Sequence, residues 1–133
     1  MILPTAKDIQ ELDDYFTILM KLSIEAERWG KESSASKPVG FFAKLVGNDP
    51  RTNLAKTRQS ISAVISDMAN LQYKLFGVKP TQQRLSMEGR TVAVQRAQSV
   101  WNDMKAVLTT KATDMQLITA ATKLRQEFDK IPV

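Results

Sequence analysis

The stretch Asp49-PRTNLAKTRQSISAVISDMANLQYKLF-Gly77 carries its own start, stripe and stop. Asp49 suits the N-cap, where a short side-chain acceptor takes a free backbone N–H. Pro50 suits the first helical position, where its missing N–H costs nothing. Leu54, Thr57, Ile61, Val64, Met68, Leu71 and Leu75 then recur in alternating steps of three and four residues up to Phe76, with Ile65 and Gln72 flanking the stripe. That period is helical, and Gly77 is placed to end it. A helix of this length spans roughly 40 Å at about 1.5 Å per residue. Such a rod must lay its single apolar stripe against other helices.

Toward the C-terminus, Val78-Lys79-Pro80 turns the chain and Thr81 is placed to cap a second long helix ending near Thr110. Val94, Ala97, Trp101, Met104 and Leu108 share one face of it, and Arg90 is an awkward occupant of that face one turn earlier. Leu85 and Val92 lie on a different side. Gly89 sits at the change of phase, so a kink or break is expected there, the alternative being that the helix's first turns face something other than the main core. Thr113 and Gln116 have the spacing of a capping box. They precede the stripe Leu117, Ala121, Leu124, Phe128 and Ile131, which Pro132 closes. The threonines at 109, 110 and 113 weaken helix continuity, but one unbroken helix over 81–131 stays open as an alternative suited to an oligomer.

Toward the N-terminus, Thr5 and Asp8 form a second capping-box pattern, and a helix is expected from Thr5 to Trp29, stopping at Gly30. Its stripe of Ile9, Leu12, Phe16, Leu19, Ser23 and Ala26 is widened by Tyr15, Leu22 and Trp29, which predicts a central position. Residues 31–38 read as a polar linker. Residues 39–46, with Phe41, Phe42, Leu45 and Val46, read as a short helix that needs burial. The fold expected is all-α: an up-and-down bundle of four long helices plus one short helix, as a single domain over 1–133. Its stripes are rich in Ala, Ser, Thr and Met, a thin core that self-association would thicken.

Composition narrows the chemistry. The 133 residues contain no His and no Cys, which removes imidazole bases, thiol nucleophiles and the usual zinc ligand sets. No phosphate-cradling glycine motif occurs, and Ser34-Ala-Ser-Lys37 matches a Ser-x-x-Lys pattern without its companion motifs. Neither a cofactor nor a metal is expected, and no enzymatic role. No apolar run is long enough to span a membrane and no secretory signal is visible, so a cytoplasmic setting is expected.

The net charge of +5 is uneven: residues 1–32 are acidic and residues 33–112 basic. The leading expectation is therefore a non-enzymatic helical interaction module — an adaptor, an inhibitor or a subunit of a larger assembly — whose partner is another protein or a second copy. The alternative is nucleic-acid binding through the basic region 37–96. A third reading is membrane-surface attachment through Phe41, Phe42 and Lys44. The partner-binding candidates are Phe41, Phe42, Lys44, Arg51, Arg58, Arg84, Leu85, Arg90 and Val92.

Overall fold

The computed structural model describes residues 5–35, 50–78, 89–108 and 112–132. These residues form four helices and no strand: α1 (Ala6–Ala35), α2 (Pro50–Phe76), α3 (Arg90–Leu108) and α4 (Asp114–Phe128). The expected all-helical bundle is what forms. The expected short helix at 39–46, the Thr81 cap and the side chains Phe41, Phe42, Lys44, Arg84 and Leu85 lie outside the described residues.

Local chemistry sets most of the helix ends. The Thr5 N–H donates to Asp8 Oδ2 at 2.9 Å and the Asp8 N–H donates to Thr5 Oγ1 at 3.2 Å, a reciprocal cap on α1. These bonds hold the Asp8 carboxyl below its ordinary value. Thr113 and Gln116 make the same exchange at α4, at 2.9 and 3.2 Å. Gly77 adopts φ +71° and its N–H donates to the Tyr73 carbonyl at 2.8 Å, a left-handed stop that only glycine takes without strain.

Gly30 does not end α1, which continues six residues past Trp29 to Ala35 and absorbs part of the expected linker. A glycine inside a helix costs about 1 kcal/mol relative to alanine but stops nothing unless it turns left-handed. Here Arg28 lies over the Trp29 ring at 4.5 Å and pairs with Glu32 at 3.7 Å, bridging the glycine. Gly89 is a helix start: its carbonyl accepts from the Ala93 N–H at 3.0 Å, and α3 begins at Arg90. A continuous helix over 81–131 is excluded, because α3 ends at Leu108 and α4 starts behind the Thr113 cap.

Long-range contacts fix direction. Asp13 meets Trp101 and Lys105 while Glu27 meets Thr91, so α1 and α3 run antiparallel. Tyr15 shares a shallow cleft with Asp67, Asn70 and Lys74 of α2, while Glu27 and Arg58 both lie in the field of Arg90. Hence α1 and α2 are antiparallel. Val107 sits beside Met115 and Gln116, and Arg90 Nε donates to the Pro132 carbonyl at 3.2 Å, so α3 and α4 are antiparallel.

The packed pairs are α1–α2, α1–α3, α3–α4 and α2–α4. Each helix has two neighbours, so α1 is no more central than the rest, although its contact with α2 is the most extensive. Neighbours alternate in direction, as in an up-and-down bundle. Along the chain, however, the order is up, down, down, up. Helices α2 and α3 lie on a diagonal and point the same way, which puts Val78 and Gly89 at opposite ends of the bundle.

The apolar stripes meet as their spacing predicts. Leu12, Phe16, Leu19, Ile61, Met68, Val94, Ala97, Trp101, Leu124 and Phe128 are fully buried, with Phe16 and Trp101 stacked at 6.5 Å between centroids. Two polar members of the stripes bond within their own helices, whereas the buried Gln72 Nε2 has no hydrogen-bond partner among the described residues. Ser23 Oγ donates to the Leu19 carbonyl at 2.7 Å, and Thr57 Oγ1 to the Asn53 carbonyl at 2.8 Å.

Candidate functional site

The α1–α3 seam carries two carboxylates placed two heptads apart on one edge of α1. Asp13 Oδ1 accepts from the indole Nε1–H of buried Trp101 at 2.6 Å and from Lys105 Nζ at 2.8 Å. A buried indole N–H without an acceptor would cost about 1–3 kcal/mol, so Asp13 is a structural partner. Glu27 Oε1 accepts the Thr91 N–H at 3.1 Å at the first turn of α3. The Thr91 side chain and backbone together hold the Glu27 carboxyl below its ordinary value.

Basic groups gather at the Glu27 end. Arg90, the first residue of α3, is half-buried; burial and the nearby Arg58 guanidinium both push its pKa down. Arg125 of α4 is buried outright, its Nε 3.1 Å from Asp129 Oδ1 and its guanidinium 5.5 Å from the Phe128 ring centre. Arg125 Nη1 has no hydrogen-bond partner among the described residues.

Large apolar side chains are exposed on every helix: Ile18 and Ile24 on α1, Tyr73 on α2, Val92 on α3, and Met115 and Ile118 on α4, where Met115 is the most exposed of them. Met115 is 77% exposed and Ile118 is 51% exposed, whereas the opposite face of α4 buries Leu117, Ala121, Leu124 and Phe128. Met115 borders a groove of about 370 Å³ between α3 and α4, lined also by Val107, Gln116, Thr119, Ala120 and Lys123. Among the described residues the lining is uncharged apart from Lys123, so the groove can take apolar surface. Among the described residues no three Asp or Glu side chains gather in an arrangement that could hold a metal.

The sequence candidates fare unevenly. Arg51 and Arg58 are exposed on α2, two turns apart, and Arg58 lies near Arg90. Arg90 is occupied by Pro132, which explains how an arginine is tolerated in line with the α3 stripe. Val92 is 46% exposed on the far side of α3 from Val94 and Ala97. The structure thus brings Arg58 and Arg90 together and leaves Val92 apart from them. Trp29, read from sequence as core, is only partly buried.

Sequence reasoning missed Met115, Ile118 and the α3–α4 groove. The available signal was two large apolar residues, three apart, off the stripe that α4 buries. Among the described residues no helix is long and apolar enough to cross a membrane. No protein-family model, curated protein or solved structure matches the chain.

Proposed function

We propose that the chain is a non-enzymatic helical interaction module of the cytoplasm that engages another protein through the outer face of α4 and the α3–α4 groove. One observation carries this reading: α4 exposes Met115 and Ile118 while already burying a full apolar stripe on its other side. Exposed apolar clusters beside a groove are what protein partners cover. The test is a photo-crosslinking side chain at position 115, with a control at Lys21 on the polar face of α1. The proposal expects a defined adduct from position 115 only, weakened by Ile118→Glu without loss of helicity. Equal or absent crosslinking at both positions contradicts it.

A second reading, nucleic-acid binding, draws support from the proximity of Arg58 and Arg90 at one end of the bundle. It predicts retention on DNA or RNA that falls steeply with salt and is reduced by Arg51→Glu and Arg58→Glu. Retention unaltered by those changes removes it.

A further inference from the structure

Among the described residues helix α3 has no side-chain cap of its own. Its N-cap position is Gly89, which has no side-chain acceptor, and its first turn contains no acid. Glu27 of α1 supplies both missing elements. It accepts the Thr91 N–H at 3.1 Å and places a carboxylate at the positive end of the helix dipole. Apolar anchoring at this end is thin: the first half of α3 buries Ala93, Val94 and Ala97, whereas the second half buries Trp101 and Met104. At this end Arg90 also bonds the Pro132 carbonyl.

We infer that Glu27 is a latch: its contact with Thr91 holds the first turns of α3 against α1, and those turns open as a local unit while the rest of the bundle stays packed. Small buried side chains and partly exposed polar bonds place these turns at the low-stability end of the molecule. Opening releases Arg90 from Pro132, so one carboxylate on α1 governs how the Arg58–Arg90 end is presented. The charged groups around Glu27 are Lys31 on its own helix and Arg90 on α3. The inference does not depend on the proposed α4 docking face.

Glycine at position 89 makes the latch testable. Gly89 does not occupy the left-handed region, and among the described residues a Cβ there would meet Glu27 Oε1 at an ordinary 3.9 Å. Asp is therefore accommodated at 89, where it would cap α3 from within. Amide hydrogen exchange would be followed at Ala93 and Val94 and at Trp101–Leu108 in the full chain. Glu27→Ala, which keeps a strong helix former in α1, is expected to speed exchange at 93–94 about fivefold, the scale of a lost cap. Exchange at 101–108 should stay unchanged. Adding Gly89→Asp to Glu27→Ala should restore most of the protection. Gly89→Asp alone should add less protection than it does in the Glu27→Ala background, because two carboxylates then share the site. Uniform acceleration through all four helices, no acceleration at 93–94, or a Gly89→Asp effect indifferent to residue 27 would each overturn the latch.

Discussion

The two ends of the α1–α3 seam are built from the same device and differ in what stands behind it. At one end Asp13 accepts from an indole whose ring is entirely buried and stacked on Phe16. At the other, Glu27 accepts from a backbone N–H at a helix start, backed by alanines and a valine. A hydrogen bond beside a large buried ring is reinforced by apolar area; the same bond beside small side chains is on its own. The first end should behave as part of the global fold and the second as a local opening.

The largest effect is expected from Trp101→Ala. Removing a fully buried indole should cost about 3–5 kcal/mol in denaturant unfolding, with all four helices lost together. Asp13→Ala comes next, at about 1–3 kcal/mol, because the indole N–H stays buried without its acceptor. A matching change in Trp101 fluorescence would show that the carboxylate acts through the ring. If Asp13→Ala is as mild as a surface substitution, the two ends are not different in kind.

Ion pairs at the Glu27 end sharpen the contrast. Arg125 is buried with one carboxylate and an unpartnered Nη1, so replacing it with an isosteric apolar residue should cost little. Arg125→Met is expected to be neutral or stabilising by about 1 kcal/mol, read from the denaturation midpoint. A loss comparable to that of Trp101→Ala would mean that the pair anchors this end.

The smallest effect is with pH. Glu27 and Asp8 both have carboxyls held below their ordinary values of 4.5 and 3.8. Each therefore contributes stability that is present above its unfolded-state value and is lost as pH falls through the lower folded-state value. Acid titration should loosen Ala93 and Val94 before Trp101, and in Glu27→Ala, where these positions are already loosened, that acid dependence should disappear.

What could be read from the residues was local. The caps at Thr5–Asp8 and Thr113–Gln116, the start at Pro50 and the stop at Gly77 each depend on neighbours within four residues, and each was legible. The buried stripes followed from period alone. Gly30 misled because glycine ends a helix through its φ, which its identity does not reveal. The role of Asp13 has no local signal, since its partner Trp101 is 88 positions away. The order of directions was invisible for the same reason: stripes say that helices pack, and only contacts between distant residues say in which order. Met115 and Ile118 were legible in principle, as apolar residues outside a stripe already complete.

The claim on which the rest depends is that α2 and α3 point the same way. The chain has no native cysteine, so paired spin labels can be placed cleanly. Tyr73 near the end of α2 would be paired in turn with Val92 and with Ala106, exposed sites about 21 Å apart along α3. The account predicts that the 73–106 distance is clearly the shorter. A shorter 73–92 distance would mean that α3 runs opposite to α2, and the chain order described above would be wrong.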